Sequence, residues 1–425
     1  MRLKAASARP AGRMRVARIA AVGAVMAAGI MARLLTEDVP TTVPTRGNSL
    51  GAMACPSQGW CVAVGSMGSA YGVQVPFAVL SADDGRTAQP PQAPAPIGDS
   101  VLSAVACLSP DSCIAVGSHE QPTPYFGARS AGVRPLTVEW DGTTWHSRPG
   151  AIPRRARDAG LNGVACASSM CMAVGEYRGR FKGDRPLAES WDGKAWTLRL
   201  PRKMRIGEEV EDVVLDDVAC VSATSCTAVG HFSYEMTFLG EAVAPLIERW
   251  NGTAWRPERA ANPQTFGDTK LKAVACPSPG RCVAVGFQQR PNRMVSTFAE
   301  IRDGNVWKVL PMRDPPGSPG AELSDVACPL PDRCIAVGSS VSRTGLMTLV
   351  ESWDGKRWTI EPAPTPAGSR SSTLTAIDCA RHTECYAAGV YWQRSPIGRA
   401  FLAKWNGTGW TILPAPGPLQ GPARP

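Results

Sequence analysis

Histidine is scarce: four occur in 425 residues. Structural zinc needs four N or S donors at characteristic spacing, and each cysteine pair stands alone within a stretch of more than fifty residues. The chain therefore reads as holding no metal and no other cofactor. Phosphate loops, nucleophile elbows and metal signatures are also missing, which removes the common motif-bearing enzyme classes. Unbalanced charge is missing too, once the N-terminus is set aside. Arg2, Lys4, Arg9, Arg13, Arg15 and Arg18 carry six of the positive charges, so the formal +9 falls to +3 beyond residue 32. Nucleic-acid binding has little support from such a balance.

The basic N-terminal segment runs into Ile19–Ala32, fourteen uncharged, mostly small residues ending before Arg33. This is the pattern of an export signal. As a helix it spans about 21 Å, short of the roughly 20 residues that a bilayer crossing needs, so an uncleaved anchor is the lesser alternative.

All fourteen cysteines fall into local pairs: Cys55/Cys61, Cys107/Cys113, Cys166/Cys171, Cys220/Cys226, Cys276/Cys282, Cys328/Cys334 and Cys379/Cys385. Seven short disulfides follow, and with them an oxidising compartment, secreted or extracellular. Closing a loop of about seven residues stabilises by roughly 2 kcal/mol in the chain-entropy model.

First cysteines recur every 51 to 59 residues, so the chain holds seven repeats. Each opens like "LKAVAC", turns, returns as "CVAVG", crosses a variable stretch into "PLAESW", turns at Asp-Gly or Asn-Gly, and leaves as "KAWTLRLP". These runs are short, alternating or β-branched, and bounded by turn residues, so each repeat supplies four strands. The Asp-Gly and Asn-Gly steps predict tight type I′ hairpins.

Tryptophans flank that turn at Trp140/Trp145, Trp191/Trp196, Trp250/Trp255, Trp353/Trp358 and Trp405/Trp410. Repeat five has Arg302 before Trp307, and repeat one has neither Trp. Recurrence at this level points to packing between neighbouring sheets. Glu189, Glu248, Glu300 and Glu351 recur two residues before the first Trp position, with Glu139 out of step. Equivalent sites share one environment, so a structural hydrogen bond within each blade is expected of them, not acid catalysis.

The string "LxxVAC … CxAVG … PLxExW(D/N)GxxW" resembles the repeats of secreted actinobacterial propeller proteins, and more distantly those of Asp-box, sialidase-type propellers and photosystem assembly-factor propellers. The resemblance covers residues 50 to 415 and implies an all-β, seven-bladed β-propeller, four antiparallel strands and one disulfide per blade. It brings no activity with it. The sialidase likeness is confined to the Asp-Gly turn and its Trp; the full Ser-x-Asp-x-Gly-x-Thr-Trp box, the arginine cluster and the nucleophilic Tyr have no counterpart. The expected organisation is a signal at 1–32, a linker at 33–49, the propeller at 50–415 and a Pro/Gly-rich tail at 416–425.

A four-stranded blade puts its first and third turns on one face of the disc, and its second turn and outgoing link on the other. The first face bears the short disulfide loops and the Asp-Gly hairpins, nearly alike in every repeat. The second carries loops of differing length and chemistry, where function usually resides. Those loops hold Tyr125 and Phe126, Tyr177 with Arg178 and Arg180, Phe232 and Tyr234, Phe287 with Arg290, and Tyr391 and Trp392 with Arg394. Aromatic faces with guanidinium groups suit sugar rings, anionic polymers or a protein partner. His119 and His231 open two of these loops and read as surface residues. The expected function is that of a monomeric cell-surface or extracellular binding scaffold for a glycan, wall polymer or protein. The alternative is a secreted polysaccharide hydrolase or lyase with a central cleft, kept open by the non-repeated acids Glu120, Glu176 and Asp184.

Overall fold

The second strand of every repeat reads as an unbroken apolar run, as a strand does when both faces are covered. The computed structural model covers it so: Val283, Ala284 and Val285 have no measurable exposure. The structure describes residues 47–68, 73–81, 87–88, 99–121, 131–179, 183–202, 210–236, 240–261, 267–290 and 294–414. The expected signal, nearly all of the expected linker and the tail lie outside these residues. Among the described residues, twenty-eight strands form seven sheets of four, each sheet built from four consecutive antiparallel strands. The blades occupy 48–88, 100–147, 158–198, 210–258, 269–310, 321–361 and 371–412. Each first strand packs against the first strands of both neighbouring blades, blade seven against blade one included, so these strands surround an axis. The class is thereby defined as a seven-bladed β-propeller, closed with no strand shared across the seam.

One disulfide staples the first two strands of each blade, in all seven predicted pairings, with Cα atoms 3.9 to 4.2 Å apart. No cysteine is free. The disulfides close the first turn of each blade, and they also reach into its core. Their second cysteines, Cys61, Cys113, Cys171, Cys226, Cys282, Cys334 and Cys385, begin the buried second strands and are at most 2 % exposed. Each packs into a hydrophobic core cluster. The reason lies in the register: the second cysteine stands opposite the third strand at the first Trp position, as Cys113 does to Trp140 and Cys334 to Trp353, so a sheet neighbour flanks it on both sides. These seven sulfurs are structural and offer nothing to a ligand.

The glycine ending "CxAVG" is required by a bulge in the first strand. A Cβ at Gly65, Gly117, Gly175, Gly230, Gly286, Gly338 or Gly389 would lie 2.0 to 2.4 Å from a carbonyl oxygen of that strand, inside van der Waals contact.

The Asp-Gly turns differ from expectation. In five blades the Trp residues pair across the hairpin, leaving a four-residue loop in which the Asp or Asn side chain accepts the N–H groups two and three positions on, as Asp141 does from Thr143 and Thr144 at 2.8 Å each. Only the Gly takes positive φ, from 89° to 95° in these five loops. The side-chain cap replaces the second positive φ of a type I′ turn.

Each Trp pair packs, ring centroids 5.4 to 5.7 Å apart, against the preceding blade. Blade five replaces the pair by charge. Arg302, 1 % exposed, donates through Nε and Nη2 to both carboxylate oxygens of Glu258 in blade four at 3.0 and 3.1 Å, and Trp307 Nε1 donates to the same carboxylate at 2.8 Å. Its Nη1 donates to Pro279 O at 3.1 Å, reproducing the bonds from Trp140 and Trp250 Nε1 to the corresponding turns.

The missing pair of blade one falls at the seam with blade seven. Tyr386 and Phe77 fill that core instead. Buried polar groups join them: Asp378 Oδ2 accepts from Cys55 N at 2.7 Å, Glu384 Oε1 from Gly59 N at 3.1 Å, and Thr375 Oγ1 donates to Leu50 O at 2.6 Å. A girdle of bonds then runs round the ring on the irregular face. N–H groups in the first four residues of the third strands, at Gln74, Val133, Asp184, Val243, Thr297, Leu346 and Ala400, donate to side chains leading the next blade, namely Asp99, Asp158, Asp212, Asp268, Asp314, Ser371 and Asn48. Asn48 closes the circle.

The recurrent glutamates are buried, but their bonds do not stay within the blade. Glu189 accepts from Ala151 N at 2.6 Å and Glu300 from Ala261 N at 2.9 Å, each tying a third strand to the connector arriving from the preceding blade. Burial pushes Glu189, Glu248 and Glu300 up to about 7 and Glu351 to about 8, from an ordinary 4.5. The folded chain then holds more protons than the unfolded chain between those values, so stability is full below about pH 4.5 and declines as pH rises towards 8 for these groups. Thermal unfolding should show a melting temperature several degrees higher at pH 5 than at pH 8; a rise over that interval would contradict the burial of neutral carboxyls.

Candidate functional site

On the irregular face the start of each first strand pairs with the end of the second, as Lys270 pairs with Phe287. The residue after the bulge glycine therefore sits beside the axial strand. In blades one, two, six and seven that residue is Ser66, Ser118, Ser339 or Val390; in blades three, four and five it is Glu176, His231 and Phe287. The axial strands beside them hold Asn162, Asp216, Lys270 and Lys272, whereas blades seven, one and two offer Thr373, Thr375, Ser49, Gly51, Val101 and Ser103. One sector of the axial ring is thus ionisable, and the opposite sector is small and largely hydroxylated.

Within the ionisable sector the side chains form three groups in neighbouring blades. Asn162 Nδ2 donates to Glu176 Oε2 at 2.6 Å and to Leu215 O of blade four at 3.0 Å. His231 Nδ1 lies 2.7 Å from Asp216 Oδ2, and its Nε2 lies 3.3 Å from Lys270 Nζ of blade five. Lys272 reaches towards Glu322 of blade six at 3.8 Å and lies over the Phe287 ring, 5.6 Å from its centroid. Burial, together with the charges of Asp216 and Asp184, raises Glu176 to about 7 against the opposing bond from Asn162. A carboxyl near neutrality can give or take a proton at working pH. Among the described residues no cluster of His, Cys, Asp and Glu is arranged to hold a metal.

His231 is therefore not a plain surface residue: only 17 % of its side chain is exposed, and it is held on both ring nitrogens. His119 is half-buried, and burial lowers its pKa. Of the non-repeated acids, Glu176 enters the cluster, while Asp184 pairs with Arg178 at 2.9 Å. Asp217, Asp325 and Asp378, each raised by burial, are structural, accepting from Val274, Ile377 and Cys55 in the following blade.

The loop residues that are described are distributed round the ring and do not converge. Tyr125, Phe126 and Arg180 lie outside the described residues. Tyr177, Phe232 and Tyr391 each lean against an inter-blade core, Tyr391 edge-on to Phe401 at 6.0 Å. Phe232 and Tyr234 stack at 5.8 Å. Arg290 is tied to Asp314 at 2.6 Å. Trp392 is half-buried beside Gly398, where an added Cβ would meet its indole nitrogen at 3.0 Å. The loop that follows, with Gln393, Arg394, Ser395, Ile397 and Arg399, borders an open hollow of about 330 Å³.

No protein-family model and no curated protein matches the sequence. Solved structures do match in shape. An ulvan lyase, described as a new family of polysaccharide lyase, is 10 % identical over 86 % of this chain and 96 % of its own, with a TM-score of 0.58. The same lyase bound to -[GlcA(1-4)Rha3S]- is 9 % identical over 86 % and 96 %, with a TM-score of 0.57. The β-propeller domain of the trilobed protease from Pyrococcus furiosus is 10 % identical over 87 % and 98 %, at 0.49. Likeness at this identity shows the propeller fold alone. The seven disulfides indicate an oxidising environment, and among the described residues no helix is long and apolar enough to cross a membrane.

Proposed function

We propose that the protein is exported and binds a glycan or wall polymer through its irregular face. Residues 1–32 direct export and are removed, residues 33–49 link to the propeller, and residues 416–425 form a tail. The basic, then apolar N-terminus, the disulfides and the resemblance of the repeats to exported actinobacterial propellers support this placement. The observation that carries the binding reading is Trp392, half-buried and immediately preceding in sequence the residues that border the open hollow, Gln393, Arg394 and Ser395. The equivalent positions in the other six blades are Gly68, Glu120, Arg178, Ser233, Gln289 and Val341, so packing common to all blades does not require an indole there. Aromatic rings with guanidinium groups on these loops suit sugar rings and anionic polymers.

Truncation of Trp392 to Ala should weaken retention on isolated cell envelope by about 2 kcal/mol, roughly thirtyfold, as hot-spot tryptophans do, with the unfolding midpoint nearly unchanged. Trp196→Ala, which empties a buried inter-blade site, should instead lower stability by about 3–5 kcal/mol. If the two variants unfold alike, Trp392 is core and the reading loses its anchor. The catalytic alternative is favoured by a separate observation, the Glu176–His231 sector.

A further inference from the structure

We infer that the axial sector of blades three to five is an acid–base site for β-elimination from a 1,4-linked hexuronate within a polysaccharide, with His231 as base, Lys270 as the cation for the substrate carboxylate and Glu176 as acid. The inference rests on the reading that this face binds a glycan.

Asp216, 2.7 Å from Nδ1, accepts the proton on that nitrogen and so selects the tautomer whose Nε2 lone pair accepts from Lys270 Nζ until a substrate carboxylate draws the ammonium to itself. Lys270 Nζ stands 3.3 Å from Nε2. A base beside an ammonium suits removal of a proton α to a carboxylate, because the negative charge that develops falls on the carboxylate oxygens, where the cation stabilises it. Glu176, half-buried and held by Asn162, lies near enough to Asp216 for their charges to interact, and burial raises it to about 7, where the protonated form is substantially populated at neutral pH. Phe287, with Lys272 over its ring, stands at the same register position in blade five. Hydrolysis would ask for two carboxyl groups acting on one bond, but Asp216 is committed to His231.

The step balances without a co-reactant. The C5–H bond breaks and its proton passes to His231 Nε2. Its electron pair forms the C4=C5 bond as C4–O4 breaks, and the departing oxygen takes the proton of Glu176. Proton exchange with water then restores both groups.

The test incubates the exported chain at neutral pH with polygalacturonate, alginate and a 1,4-linked glucuronan, which together cover both C5 configurations, and follows the ultraviolet absorbance of the unsaturated uronate. Product should form from at least one of them. His231→Ala and Glu176→Gln should each lower the rate by about a hundredfold or more, while co-sedimentation with the polymer persists. Glu176→Gln preserves size and the bond from Asn162, so it carries the test even if His231→Ala does not fold. Binding without product would overturn the elimination and leave glycan binding standing. Neither binding nor product would overturn both, and product that survives both substitutions would overturn the assignment of the site.

Discussion

Glu258→Ala should cost about 3–5 kcal/mol of stability, more than any exposed charge change in the molecule, because it strands a guanidinium that has almost no contact with water. Arg302 is 1 % exposed, and Glu258 supplies the acceptors for its Nε and Nη2 and for Trp307 Nε1 as well. Five other blades solve the same junction with a pair of indoles. Glu258→Ala combined with Arg302→Trp restores that template and should recover most of the loss. Urea unfolding of the three proteins measures it. Equal destabilisation by the single and double variants would mean that the ion pair is incidental to the blade-four/blade-five contact.

Asp378→Ala should open the ring at its seam. The Asp378 carboxylate accepts from Cys55 N at 2.7 Å and from Cys379 N at 2.8 Å, so truncation leaves two backbone donors unpartnered, at about 1–3 kcal/mol each. The seam has no strand exchange to fall back on, and Tyr386 and Phe77 take the place of a Trp pair. Native-state hydrogen exchange of the variant should show blades one and seven losing protection before the rest. Asp378→Asn, which keeps one acceptor oxygen but sets an amide NH2 against the second backbone donor, should fall between the parent and the Ala variant. Loss of protection beginning in blades three and four would contradict a seam-limited ring.

Much of this fold was legible because its determinants are local and repeated. A cysteine pair six residues apart, an Asp-Gly between two tryptophans and an apolar run ending in Gly need no knowledge of the neighbouring blade. Determinants that cross blades were harder to see. Burial of Cys113 or Cys334 is of this kind, since the pairing is local but the core that covers the sulfur comes from other strands. The girdle acceptors do leave a trace, since Asp99, Asp158, Asp212 and Asp268 each stand three residues before the first-strand leucine, but Asp314 and Asn48 stand at other offsets. Arg302 looked like a degenerate Trp position until Glu258, forty-four residues earlier, proved to be its partner.

The axial cluster was missed for the same reason. His231 taken alone is a loop histidine; Asp216 and Lys270, fifteen and thirty-nine residues away, give it a role. The usable signal was Glu176, His231 and Phe287 at one register position where most other blades carry serine. The loop aromatics were chosen by composition, and several proved to lean on blade cores, where aromatic burial stabilises more than exposure does.

The central claim is that function resides on the irregular face and its axial sector, not on the disulfide face. Hydrogen exchange of the exported chain with and without a polysaccharide that it retains tests this most directly. Binding on the irregular face adds protection at the ends of the second strands, in the peptides holding Glu176, His231, Phe287 and Trp392, with the disulfide turns unchanged. Protection confined to those turns, or to the Asp-Gly hairpins, would contradict it.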